Sequence, residues 1–185
     1  LTDEELMTAY ANGDRRSFVL LFQRWAPRLH GFFQRTLGDQ GAADDLLQGT
    51  FLKLHRARTS FQPLLHLRGW IYGIATHELQ EELRRRKHTP LASEEAQQDV
   101  LESAGPDMHN ALESKQFASQ VRAAIDRLPE SQRAVLYLHR FEEMGFAEIA
   151  KLLGTTEGAV KLRAFRAYER LRQDLVPLLD EERAA

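Results

Sequence analysis

Between residues 3 and 175, large apolar side chains return every three or four positions and almost never every second one. A chain patterned this way buries stripes along helices and offers no alternating face for a sheet, so it reads as all-α. Punctuation residues divide the pattern. Asp3 to Ala11 reads as a short amphipathic helix stopped by Asn12-Gly13. Asp14 is placed to cap a second helix carrying Phe18, Leu21, Phe22 and Trp25. Pro27 is expected to interrupt it before Leu29, Phe32, Phe33 and Leu37 continue the stripe to Gly38. A third helix runs from Gly41 to about Arg58, with Leu47, Thr50, Phe51 and Leu54 along one side, and Gln62-Pro63 ends that element. Leu67 to about Lys87 makes a fourth.

The pattern then breaks. Residues 89–109 contain Pro90, Ser93, Gly105 and Pro106 and few large apolar groups, the composition of a tether. From Thr89 to Ser114 stand Glu94, Glu95, Asp99, Glu102, Asp107 and Glu113 with no Lys or Arg, directly after the block Arg84-Arg85-Arg86-Lys87. Helical spacing resumes over Asn110–Arg127, Gln132–Arg140, Phe146–Leu153 and Glu157–Leu175, with Pro129 suited to a helix start. At 185 residues the chain suits two small cores better than one, so the expected layout is two all-α domains joined by an acidic linker.

Several function classes fall away. With no Cys there is no disulfide, thiol catalysis or cysteine-ligated zinc. His66, His77 and His88 would align on one helix but stand roughly 16 Å apart, too far to share a metal. His77-Glu78-Leu79-Gln80-Glu81 has Glu where a zinc-protease helix needs its second His. No phosphate loop, nucleophile elbow or paired-carboxylate motif appears, so neither an enzyme nor a cofactor or metal is expected. No apolar run approaches the roughly 18 residues that span a bilayer, and the first residues are acidic where a signal peptide would be basic. The expected place is the cytoplasm, without membrane insertion.

The sharpest local signal is Phe146-Ala-Glu-Ile-Ala-Lys-Leu-Leu-Gly154-Thr-Thr-Glu-Gly-Ala-Val160-Lys. Ala150 lets two helices cross closely, and Gly154 tolerates the positive φ of a tight turn. Ile149, Leu153 and Val160 would close a small core, and Val160, Ala164, Ala167 and Leu171 would bury one stripe of the second helix. Its outer face then carries Gly158, Lys161, Leu162, Phe165, Arg166 and Glu169. This is a helix-turn-helix whose cations suit guanine edges or phosphates and whose apolar tips suit thymine methyls. A solvated helical hairpin fits the same spacing, but it gives Leu162 and Phe165 no reason to face water. The net charge of −2 opposes tight unaided binding to DNA.

Leu128-Pro129, Phe146-Ala-Glu-Ile-Ala-Lys-Leu-Leu-Gly154 and Glu157-Gly-Ala-Val-Lys-Leu-Arg163-Ala-Phe-Arg-Ala167 together resemble region 4 of bacterial sigma-70 family factors, closest to the extracytoplasmic-function (ECF) group. Ala43-Asp-Asp-Leu-Leu-Gln-Gly-Thr-Phe51-Leu-Lys-Leu54 resembles that group's region 2.2. Leu67-Arg-Gly-Trp-Ile-Tyr-Gly-Ile-Ala75 with Leu83-Arg-Arg85 resembles its promoter-melting segment. The resemblance implies a sigma-2-like domain at 1–88, a linker at 89–109 and a sigma-4-like domain at 110–185. It implies core RNA polymerase as partner (β′ clamp helices and β flap), promoter DNA, and an anti-sigma factor. Asp44, Asp45, Leu46, Gln48 and Phe51 would meet the clamp helices. Trp70, His77, Arg84 and Arg85 would meet the minus-ten element, and Gly158, Ala159, Lys161, Leu162, Phe165 and Arg166 the minus-thirty-five element.

The residues themselves leave other roles open. Asp44 and Asp45 also favour a helix start electrostatically, Trp70 also fits a core, and the basic block also fits a solvated helix end. This chain departs from the family pattern at Gly49, where Glu is usual, at Thr76-His77, where Arg-Asn is usual, at Glu81 for Asp, and at Ala159 and Leu162. Those departures bear on promoter melting and promoter preference. They also motivate a second reading, a decoy that holds an anti-sigma factor without initiating transcription.

Overall fold

The computed structural model describes residues 1–62, Leu64, 66–88 and 110–184. Among these are eight α-helices and no strand: α1 (Asp3–Ala11), α2 (Arg15–Leu37), α3 (Gln40–Ala57), α4 (Leu67–His88), α5 (Asn110–Asp126), α6 (Glu130–Arg140), α7 (Phe146–Leu152) and α8 (Glu157–Ala184), with a 3-10 turn at Arg58–Ser60. The acidic tether expected at 89–109 lies outside the described residues.

Local chemistry sets the starts. Thr2 and Glu5 form a reciprocal capping box on α1, the Glu5 N–H donating to Thr2 Oγ1 at 3.1 Å and the Thr2 N–H to Glu5 Oε2 at 2.7 Å. Asp14 accepts from the Arg16 N–H at 3.0 Å, and Asp39 from the Ala42 N–H at 3.0 Å. Between α2 and α3 the chain reverses on Gly38 at φ +69°, a conformation open to glycine. The expected break at Pro27 does not occur. α2 runs unbroken through it because Trp25, Ala26, Leu29, Phe32 and Phe33 on either side are buried and hold the axis where the missing N–H would release it.

Two small cores were expected; among the described residues the buried side chains form one large cluster that crosses both halves and one small one. A continuous cluster runs from Leu6 and Leu21 through Phe32, Phe33, Leu54, Tyr72 and Leu79 into Val135, Leu138, Ile149 and Val160. The joint lies where α6 packs on α2, with the Tyr137 ring 5.5 Å from Phe32. Gly31 permits this approach, since a Cβ there would stand 3.3 Å from the Tyr137 hydroxyl. Only Leu128, Leu136 and Ala167, with Ile125 and Leu171 against them, form a smaller separate cluster.

Candidate nucleic-acid interface

The turn between α7 and α8 is built as its sequence implies. Gly154 adopts φ +59°, and the Thr155 N–H closes back on the Ala150 carbonyl at 3.0 Å. Thr156 caps α8, accepting from the Ala159 N–H at 3.2 Å. Val160, Ala164 and Ala167 are buried and Leu171 half-buried, which fixes the rotation of α8. Gly158, Lys161, Leu162, Phe165 and Arg166 therefore line one outward face, with Ala159 at its edge. Leu162 is 47% and Phe165 63% exposed, apolar tips with no covering element among the described residues. Lys161 is held toward the helix start by Glu157 at 2.7 Å. Tyr168, also exposed, extends this face by one turn. The sequence reading missed it, although its place three residues after Phe165 was signal enough.

On α4 the predicted residues are less uniform. His77 and Arg84 face solvent, and His77 lies 3.4 Å from Glu81. Trp70 is half-buried, its ring 5.3 Å from Phe61. It is both a core-edge residue and one wall of a cleft of about 890 Å³ shared with Trp25, Arg28, Arg68, Glu148 and Lys151. Arg85 is exposed but pairs with Glu82, which also binds Arg86 at 2.8 Å. Burial pushes the Glu82 carboxyl upward, yet the hydrogen bonds from Arg86 and Arg85 outweigh it and hold its pKa below the usual range. Arg86 reaches Asp39 as well, at 3.1 Å, so part of the basic block ties α4 to the α2–α3 corner.

On α3, Asp44, Asp45 and Gln48 face outward, and Asp44 lies 3.1 Å from His30. Leu46 and Phe51, expected at the same surface, are only 8% and 5% exposed. Helical geometry explains the correction. Positions 46, 50, 51 and 54 share the stripe that packs inward, and Phe51 seats against Phe22 with ring centroids 4.7 Å apart. Leu52 is the apolar residue on the Asp45–Gln48 face, half exposed, and Val19, Leu20 and Phe22 of α2 are also exposed. Leu52 was legible as the residue four after Gln48. Gly49 leaves room for a neighbour from α4: a Cβ there would stand 2.6 Å from Glu78 Oε2, whose carboxylate pairs with Lys53.

The second half of the chain docks on the first through polar groups as well as the core. Glu142, 4% exposed, reaches Arg28 at 2.6 Å. Burial opposes the Arg28 charge, but the bond to Glu142 outweighs it and raises the guanidinium pKa. Burial first, and the adjoining Glu142 carboxylate second, push the Tyr72 phenol far above its ordinary value. Arg68 donates to the Glu142 carbonyl at 2.9 Å and pairs with Glu148 at 3.3 Å. The end of α7 sits on α4, where Thr76 Oγ1 lies 3.1 Å from the Leu152 carbonyl and Gln80 Nε2 donates to the Leu153 carbonyl at 2.8 Å. Thr76 is fully buried there.

Comparison with known proteins fits this geometry. The family profile described as sigma-70 region 2 matches residues 21–89, and that described as sigma-70, region 4 matches residues 118–171. RNA polymerase sigma factor CarQ of Myxococcus xanthus is 32% identical over 167 residues, covering 90% of this chain and 94% of its own. ECF RNA polymerase sigma factor SigM of Mycobacterium tuberculosis is 34% identical over 170 residues, covering 92% and 83%. Among solved structures, CnrH in complex with the cytosolic domain of CnrY superposes with a TM-score of 0.61 at 25% identity, over 97% of each chain. The sigma factor RpoE in complex with the anti-sigma factor NepR from Bartonella quintana shares the fold, with a TM-score of 0.64 at 22% identity over 86% of this chain and 97% of its own. No helix among the described residues is long and apolar enough to cross a membrane. Two family profiles in order and relatives matched over most of both chains lead to one conclusion: the chain belongs to the ECF group of sigma-70 family RNA polymerase sigma factors.

Proposed function

We propose that this chain binds core RNA polymerase in the cytoplasm and directs it to promoters, with residues 1–88 serving polymerase and minus-ten contacts and residues 110–185 the minus-thirty-five contact. The observation that carries the reading is the outward face of α8, where Lys161, Leu162, Phe165 and Arg166 stand together on a helix whose other side is locked in the core. A helix so presented suits the major groove, Lys161 and Arg166 meeting guanine edges or phosphates and the apolar pair meeting thymine methyls. Asp45 and Gln48, with Leu52 between turns, form the polymerase-facing surface of α3, a small acidic and apolar patch suited to basic partner helices. His77, Arg84, Arg85 and the open edge of Trp70 suit an unpaired strand, by stacking and by phosphate contact. The anti-sigma complexes of the structural relatives support an anti-sigma partner here.

Run-off transcription with bacterial core polymerase tests the reading. The wild-type chain initiates on a subset of promoters. Lys161→Ala and Arg166→Ala each cost roughly 1–3 kcal/mol and relax preference at one base pair where the lost contact is to a base edge, or weaken all promoters alike where it is to phosphate. Normal rates on every promoter variant would remove the recognition helix from the account. The decoy reading is favoured by the inward-turned Thr76 and by Gly49 lying under Glu78. It requires that no core preparation yield a transcript while an anti-sigma protein still binds.

A further inference from the structure

We infer that Glu78 of α4, reaching across the gap at Gly49, supplies a carboxylate to the outward face of α3 and completes the surface that meets core polymerase. The inference rests on the polymerase contact proposed above and adds to it a residue from a second helix.

Space supplies the first argument. A glycine in the middle of a helix weakens it, because the unfolded chain is freer there, so Gly49 in α3 calls for a neighbour that needs the room. Glu78 is that neighbour. A Cβ at position 49 would stand 2.6 Å from Glu78 Oε2 and 3.6 Å from its Cδ. A free carboxylate could swing aside, but Glu78 is held by Lys53 and its side chain is only 12% exposed. Position 49 lies one turn after Asp45 and one turn before Leu52 and Lys53, beside Gln48. Asp45, Gln48 and Leu52 are exposed. A carboxylate lying over Gly49 therefore sits among the residues assigned to polymerase, although its backbone belongs to α4.

Charge supplies the second. Lys53 alone would set a cation at one end of an acidic face. It is paired instead with Glu78, and with Glu81 at 3.2 Å. The bond to Glu78, against the opposing effect of burial and with Glu81 adding to it, raises the Lys53 ammonium above its ordinary pKa. Two carboxylates from α4 against one ammonium from α3 turn this end of the face acidic. The sign of Asp44 and Asp45 is thus carried on toward Leu52, as basic partner helices require. Where the family pattern has Glu at position 49, this chain brings the carboxylate from α4. Gly49 then marks a carboxylate moved and not lost, which turns the Gly49–Glu78 contact away from the decoy reading.

Titration of full-length variants against bacterial core polymerase at two salt concentrations tests the assignment, with thermal melts alongside. Glu78→Gln should bind about tenfold more weakly and show a shallower salt dependence. Gly49→Glu alone sets two carboxylates on one spot and should also bind more weakly. Gly49→Glu combined with Glu78→Gln puts a single carboxylate back, from α3 this time, and should return affinity to within about threefold of wild type. Gly49→Ala combined with Glu78→Ala is the packing control. It fills the gap with a better helix former and keeps the fold, yet should remain about tenfold weak because the carboxylate is gone. Wild-type affinity in Glu78→Gln overturns the role of the carboxylate. Failure of the Gly49→Glu, Glu78→Gln pair to recover affinity overturns its place on the face of α3. Recovery by the alanine pair as well would reduce Glu78 to packing and overturn the inference equally. All three outcomes leave the proposed function standing, whereas a wild-type chain that does not bind core polymerase overturns both.

Discussion

The Leu67 N–H donates to Glu4 Oε1 at 3.0 Å, so a carboxylate from α1 caps the start of α4 across sixty residues of sequence. That bond, then the Glu4 backbone N–H, and more weakly the neighbouring His66, hold the carboxyl below its usual range against the opposing effect of burial. A carboxyl depressed in the folded state contributes stability above its unfolded pKa and loses it as pH falls through the folded value. Glu4→Gln should therefore lower stability at neutral pH by about 0.5–2 kcal/mol, with the difference from wild type closing below about pH 4. Thermal melts across pH 3–7 check it, and a gap that persists in acid contradicts it. The neighbours Phe51 and Leu52 separate packing from contact in the same manner. Phe51→Ala empties a buried site and should cost about 3–5 kcal/mol of stability. Leu52→Ala should leave the melting temperature within about 2 °C of wild type yet weaken binding to core polymerase, as read in a polymerase titration.

At the scale of elements, α2 contains its own test. Pro27 is exposed inside a continuous helix and deprives the Gln23 carbonyl of a partner. Pro27→Ala restores that bond at a small cost in unfolded-chain entropy, for a net gain of about 1–2 kcal/mol, or about 2–8 °C in melting temperature. A lower melting temperature would mean that the proline sets a bend the core needs. The same helix shows where the sequence was legible and where it was not. Caps at Asp14 and turns at Gly38 and Gly154 are local chemistry, and pattern alone finds them. Continuation through Pro27 is decided by Trp25, Phe32 and Phe33 packing against other elements, which no local rule contains. On α8 the outward placement of Lys161, Leu162, Phe165 and Arg166 was legible, because its small buried residues leave one possible outward face. On α3 the placement was legible only in part: the family motif groups Leu46 and Phe51 with Asp45 and Gln48, while helix geometry turns the apolar pair inward and Leu52 outward. The contact of α7 with α4 left no trace in spacing, since the carbonyls of Leu152 and Leu153 that make it carry no side-chain signature.

At the scale of the molecule, the unbroken core from Leu6 to Ala164 bears on how the protein melts. Heat counts cooperative units. Near 60 °C unfolding absorbs about 0.7 kcal/mol per residue, so the two packed halves together should absorb roughly 110 kcal/mol and each alone about half that. Packed as one body, the chain should melt in a single calorimetric peak whose van't Hoff enthalpy matches the area beneath it, a ratio of about one. Halves that melt independently at similar temperatures would give a ratio of about one half. Shared cooperativity also couples distant residues: shaving Phe32, in the first half, should speed amide exchange in α8, and that helix would be only as long-lived as the helices it never touches in sequence.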